Sequence, residues 1–174
     1  MGHRGCTGHA TDFNKGQQVK LLFLDFDGVL HDASAVEIEH IGHDMQFSGS
    51  RLFLRLHLLE ELLVRCHDVS IVISSSWQYH YPLEDLRIFL RGAGTCVIGT
   101  TGSAGANPKA TRYEQCRVAV ETLGVDQWVL VDDQPSIVWG DRAPTRDEMA
   151  RTVFCDPVLG LTPMIVDSLV RKLS

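Results

Sequence analysis

The segment from Val19 to His31, Val-Lys-Leu-Leu-Phe-Leu-Asp-Phe-Asp-Gly-Val-Leu-His, constrains the fold more than any other stretch of the chain. Leu21 to Leu24 form a continuous apolar run that delivers two carboxylates, Asp25 and Asp27, followed at once by Gly28. An unpaired carboxylate beside a buried strand is unfavourable by an amount on the order of several kcal/mol. Such a pair requires a counter-charge, and a divalent cation bound by oxygen ligands supplies one. Gly28 tolerates backbone angles closed to other residues, so the strand can end in a tight turn with both acids at its carboxyl tip. Open parallel sheets bind their ligands at that edge.

The remaining apolar runs predict such a sheet. Strands are expected at 20–25, 69–74, 95–98, 128–132 and 152–155, and most are continuously apolar, as parallel strands covered on both faces must be. Helical spacing appears between them. Segment 51–66 repeats Leu52, Leu56, Leu59 and Leu63, segment 82–91 opens on Pro82 and stops at Gly92, and segment 109–123 stops at Gly124. The last helix is expected over 163–173, with Thr162 as its N-cap, Pro163 in the first turn and Leu161 stapled onto Val166. Strands alternating with helices predict an α/β fold in three layers, a five-stranded parallel sheet with helices on both faces. Residues 31–50 lack clear periodicity and leave room only for a small flap.

At 174 residues the chain suits a single domain, expected over 19–174, behind a leader of 18 residues poor in large apolar groups. The formal charge of −6 disfavours a dedicated nucleic-acid binder, which normally carries a basic excess. Cys6, Cys66, Cys96, Cys116 and Cys155 are scattered and odd in number, so free thiols in a reducing, cytoplasmic setting are expected. The N-terminus lacks the charged-then-apolar plan of a secretion signal, and no apolar run approaches the roughly 20 residues that span a bilayer.

Each later strand end adds chemistry to the first. The second strand ends in Ser74-Ser75-Ser76-Trp77, where a hydroxyl and the N–H groups that follow can cradle a phosphate oxygen. Ser74, last in the apolar run, is the first choice and Ser75 the fallback. The fourth strand ends in Asp132-Asp133, a second acid pair at the same sheet edge, and a shared Mg²⁺ accounts for both pairs at once. Phosphoryl transfer also needs a fixed cation near the phosphate. Lys109 and Arg112 both stand at the start of the helix before the fourth strand, and the sequence leaves the choice between them open. His31 can reach a leaving group. His40 and His43 have no further soft ligand at a useful spacing, and Trp77, Trp128 and Trp139 read as packing residues.

Asp25-Phe-Asp27-Gly-Val-Leu, a hydroxyl after an apolar strand, a Lys or Arg, and then Asp132-Asp133 together resemble the four motifs of the haloacid dehalogenase (HAD) superfamily. The resemblance spans roughly residues 19–173. Ser-Ser-Ser-Trp, Asp156-Pro157 and Gly160-Leu161-Thr162 are similar to small members grouped with the HAD domain of Swiss army knife RNA-repair proteins. It implies a Rossmann-like fold and a Mg²⁺-dependent phosphatase acting on a phosphorylated substrate. Asp25 would be the nucleophile that forms an aspartyl-phosphate, and Asp27 the proton donor to the leaving oxygen and then the base for water. Ser74 would hold a phosphoryl oxygen and Lys109 or Arg112 would neutralise charge. The metal would be held by Asp25, the Asp27 carbonyl, Asp132 and Asp133. Residues 31–50 and 99–108 are too short for the cap domain of larger members, so the site is expected either to stay open to a bulky substrate, such as a nucleic-acid end or a phosphoprotein, or to need a partner subunit to close it. The competing readings are a catalytically silent phosphate-binding or scaffold protein and a phosphatase that processes nucleic-acid ends.

Overall fold

The computed structural model describes residues 19–41 and 44–174; the expected leader and His43 lie outside the described residues. Among the described residues, strands run in chain order as β1 (Lys20–Leu24), β2 (Glu37–Ile41), β3 (Asp44–Ser48), β4 (Val69–Ile73), β5 (Val97–Thr100), β6 (Gln127–Asp132) and β7 (Thr152–Phe154). Six α-helices accompany them: α1 (Leu56–Arg65), α2 (Leu83–Phe89), α3 (Arg112–Leu123), α4 (Pro135–Trp139), α5 (Arg146–Arg151) and α6 (Pro163–Leu173). Five strands form one sheet in the order β5-β4-β1-β6-β7, and β1 pairs in parallel with β4 and β6. The expected α/β fold, a five-stranded parallel sheet with helices on both faces, is present.

Period-two alternation along β1 explains the three layers. Leu22 and Leu24 enter a core with Leu59 and Leu62 of α1, Leu86 of α2 and Leu169 of α6. Leu21 and Phe23 point to the other face, against Tyr113, Cys116 and Ala119 of α3 and Val138 of α4. All four β1 side chains are wholly buried, and each contributes about 1.5–3 kcal/mol by leaving water. That anchorage fixes the strand whose tip carries Asp25.

Helix boundaries follow local chemistry. Thr111 caps α3 and Glu114 returns the bond to the Thr111 N–H, so the helix begins at Arg112 and not at 109 as expected. α1 starts at Leu56, five residues later than expected, because Phe53 sits at φ 56°, a left-handed conformation that no helix interior accepts. α6 has the expected bounds, with Thr162 Oγ1 accepting the Ile165 N–H and with Leu161 and Val166 both buried. β5 starts at Val97 because Arg91–Cys96 form a 3₁₀ helix. The unpatterned segment contains the antiparallel β2–β3 ribbon, which answers to the expected flap and forms a minimal cap between β1 and α1.

Cys66, Cys116 and Cys155 are buried free thiols, whereas Cys96 is disulfide-bonded, which departs from the expectation of five free thiols. No helix among the described residues is long and apolar enough to cross a membrane.

Candidate active site

Strand register brings the distant motifs to one level. Leu24 stands opposite Ile73 of β4 and Val131 of β6, so Asp25, Ser74 and Asp132 are the next residues on three neighbouring strands. The Asp25 N–H donates to Val131 O at 3.2 Å, and the Ser74 N–H donates to Leu24 O at 2.9 Å. The chain moves outward from β1 to β4 and β5, then crosses to β6 and β7 on the other side. The crevice thus opens where the strand order reverses, at the carboxyl edge, the usual ligand site of such sheets.

Oxygens of Asp25, Asp132 and Asp133 lie within 4.8 Å of one another, and all three residues are buried. The Arg112 Nη1 lies 2.9 Å from Asp25 Oδ1 and 2.9 Å from Asp132 Oδ2. Its position follows from the Thr111 cap, which makes it the first residue of α3. Lys109, the other expected cation, stays exposed in the loop before the helix, its own N–H bonded to Asn107 Oδ1. The structure therefore brings Arg112 into the cluster and leaves Lys109 outside it. The Gln134 N–H donates to Asp132 Oδ1 at 2.9 Å.

Burial and mutual repulsion raise the proton affinity of these acids. Desolvation is the main cause at Asp25 and Asp132, and the Arg112 charge opposes it without cancelling it. At Asp133, desolvation followed by the Asp25 charge pushes the carboxyl up to about 6. The guanidinium of Arg112, which burial alone would discharge more readily, is held above its usual value by Asp25 and Asp132.

Three carboxylates facing one guanidinium leave two negative charges uncompensated when all are ionised. Asp133 Oδ2 is also buried without a hydrogen-bond partner among the described residues. An all-oxygen set with that charge and an orphaned acceptor fits a hard divalent cation such as Mg²⁺. Gly28 makes the arrangement possible: it sits at φ 65°, and a Cβ there would come within 2.3 Å of Asp133 Oδ2. A side chain at position 28 and the observed Asp133 carboxyl exclude each other.

Asp27 has different surroundings. His31 Nε2 lies 2.9 Å from its Oδ1, and the Trp77 Nε1–H is shared between Oδ1 and Oδ2 at 3.1 Å each. Its side chain remains 30 % exposed, while His31 and Trp77 are buried beneath it. The four acids thus divide into a buried triad and one more accessible carboxyl held by N–H donors. Trp77 reads in the sequence as packing, and its contact joins residues 50 positions apart, so no local spacing announces it.

Ser74 Oγ is buried beside the Cys116 thiol, with no nitrogen or oxygen partner among the described residues. Ser75 Oγ is already engaged: it accepts the Trp77 N–H at 3.4 Å and lies against the Asp25 carboxyl. Of the two hydroxyls, that of Ser74 has only the Cys116 thiol beside it among the described residues. His40, on β2, is exposed and does not join the cluster.

Neither a curated protein nor a solved structure matches the chain. A family model does: the one described as the HAD domain in Swiss Army Knife RNA repair proteins covers residues 21–166. That stretch runs from β1 into α6 and takes in every strand tip of the crevice. The shared motifs, the sheet order and the acid cluster agree, and the chain belongs to this family of HAD domains.

Proposed function

We propose that the protein is a Mg²⁺-dependent phosphomonoesterase that works through an aspartyl-phosphate on Asp25. Membership of an HAD family supports a hydrolase of phosphatase type. The observation that carries the finer reading is the placement of Asp25, a buried carboxylate 2.9 Å from Arg112 inside a cluster with excess negative charge. A carboxylate approaches a phosphate dianion only if surrounding positive charge cancels the repulsion.

Asp25, Asp132, Asp133 and the Asp27 backbone carbonyl would hold the cation, which supplies charge neutralisation and orientation of the phosphoryl group. Arg112 adds a fixed positive charge, and the Ser74 hydroxyl donates to a phosphoryl oxygen. An Asp25 oxygen bonds to phosphorus as the bond from phosphorus to the leaving oxygen breaks, and Asp27 gives that oxygen its proton. Asp27 then takes a proton from water, whose oxygen bonds to phosphorus and releases Asp25. A cap as small as the β2–β3 ribbon supports a bulky phosphomonoester as substrate. Hydrolysis of p-nitrophenyl phosphate with Mg²⁺ tests the reading: wild-type turnover no faster than that of Asp25→Asn removes it.

Metal binding carries a pH signature. The acids of the triad have raised proton affinity in the folded protein, with Asp133 at about 6 against an ordinary 3.8. The contribution of Asp133 to metal-free stability is therefore present below its ordinary value and is lost as pH rises through about 6, and the raised proton affinity of Asp25 and Asp132 acts in the same direction. A cation that displaces those protons binds more tightly over the same window. The rise in melting temperature caused by Mg²⁺ is expected to be small near about pH 5 and to grow up to about pH 7.5. Scanning calorimetry with Mg²⁺ and with EDTA at both pH values reads it, and a shift that shrinks with rising pH contradicts the assignment.

A further inference from the structure

We propose that Trp77 and His31 are positioning residues for proton transfer, fixing the Asp27 carboxyl so that Oδ1 is tied up and Oδ2 is left to carry the proton. The inference rests on the reading of Asp25 as nucleophile and Asp27 as acid and base. Oδ1 has two N–H partners, His31 Nε2 at 2.9 Å and Trp77 Nε1 at 3.1 Å. Among the described residues, Oδ2 has only its share of the indole N–H, also at 3.1 Å. A proton on Oδ1 would compete with both donors, whereas a proton on Oδ2 leaves the His31 bond intact.

Both donors are held in place. The Phe53 N–H lies 3.4 Å from His31 Nδ1, which makes Nδ1 the acceptor and leaves the ring hydrogen on Nε2, toward Asp27. This gives the left-handed Phe53 a role, since its N–H faces the histidine and not a helix. The indole is clamped by Phe26, Phe47, Phe53 and Tyr81, with ring centroids 5.6, 4.7, 5.5 and 5.6 Å away. The Tyr81 hydroxyl accepts the Phe47 N–H at 2.7 Å, so β3 is tied to the same cluster. A donor fixed before substrate arrives needs no reorganisation during the reaction. In the first half-reaction the Oδ2–H bond breaks and the proton passes to the leaving oxygen as that oxygen parts from phosphorus. In the second, water returns a proton to Oδ2.

Packing alone would make Trp77 a structural residue, and leaving-group dependence separates the two roles. Phenyl phosphates with acidic phenols need little protonation in the transition state, and those with weakly acidic phenols need much. kcat/KM is measured for p-nitrophenyl, phenyl and p-methoxyphenyl phosphate with wild type, Asp25→Asn, Trp77→Phe, His31→Leu and His31→Gln. Trp77→Phe keeps an aromatic ring, though a smaller one, and removes the N–H; His31→Gln restores an N–H close to the place of Nε2. Trp77→Phe and His31→Leu are expected to lose at least ~10-fold more on p-methoxyphenyl than on p-nitrophenyl phosphate, within the range of general acid catalysis. His31→Gln is expected to recover most of the His31→Leu loss. Equal losses on all three substrates, or none, overturn the inference while leaving the phosphatase reading standing. Wild type no faster than Asp25→Asn removes both. Melting curves identify any variant that fails to fold, and the two His31 variants decide the matter if Trp77→Phe is lost.

Discussion

Replacing Asp25 with Asn is expected to abolish turnover while raising the thermal stability of the metal-free protein. The loss should reach at least ~10³-fold in kcat, because an amide oxygen cannot serve as the nucleophile. The gain in stability follows from the electrostatics of the cluster. Asp25 is buried, its proton affinity is raised chiefly by desolvation, and Arg112 offsets only part of that penalty. A carboxyl that binds its proton more tightly in the folded state destabilises the fold once ionised, so a neutral isostere relieves the strain. Arg112 keeps its second partner, Asp132, at 2.9 Å. Each kcal/mol gained moves the melting temperature by about 2–4 °C in a chain of this size. The same variant should lose most of its response to Mg²⁺. Calorimetry together with an activity assay reads all three effects, and a less stable, metal-responsive Asn variant contradicts the account.

Arg112→Met is expected to have the opposite effect on stability. It removes a cation that touches both Asp25 and Asp132 and leaves three buried acids facing one another. Breaking a buried ion pair from one side typically destabilises by about 3–5 kcal/mol. Part of that loss should be recovered with Mg²⁺, which binds the more negative site and adds stability by mass action. Turnover should still fall steeply, since no fixed charge then faces the phosphoryl group. Lys109→Ala serves as the counterpart. Its side chain is exposed in the loop before α3, and a change within about 0.5 kcal/mol is expected. Equal effects of the two substitutions would mean that the placement of Arg112 between the acids has no energetic consequence.

The strands were readable because burial on both faces leaves continuous apolar runs, and Leu21 to Leu24 is the clearest of them. Asp25 and Asp132 were readable for the same reason: acids directly after such runs stand at a strand tip. The β2–β3 ribbon was less legible. Hydrophobic periodicity reports burial, and Glu37, Ile38, Glu39 and His40 are all exposed, so the pattern has nothing to record. α4 and α5, at five and six residues, are too short to show a helical period. The choice between Lys109 and Arg112 was written in the chain as Thr111-x-x-Glu114, a reciprocal cap that fixes where the helix starts. Ser74 and Ser75 differ only in what their hydroxyls already bind, which is a tertiary fact. The Trp77 contact with Asp27 is of the same kind, because two residues far apart in sequence meet only once β1 and β4 are paired.

The most direct test of the central claim is to look for phosphoryl on Asp25 itself. Asp27→Asn should still transfer phosphoryl from p-nitrophenyl phosphate, whose leaving group needs no proton, but should be slow to activate water. Acid-quenched samples of this variant, digested and mapped by mass spectrometry, are predicted to carry phosphoryl on the peptide containing Asp25, formed only with Mg²⁺ and in step with p-nitrophenol release. Release of p-nitrophenol without that adduct, or with phosphoryl at Ser74 instead, would contradict the account.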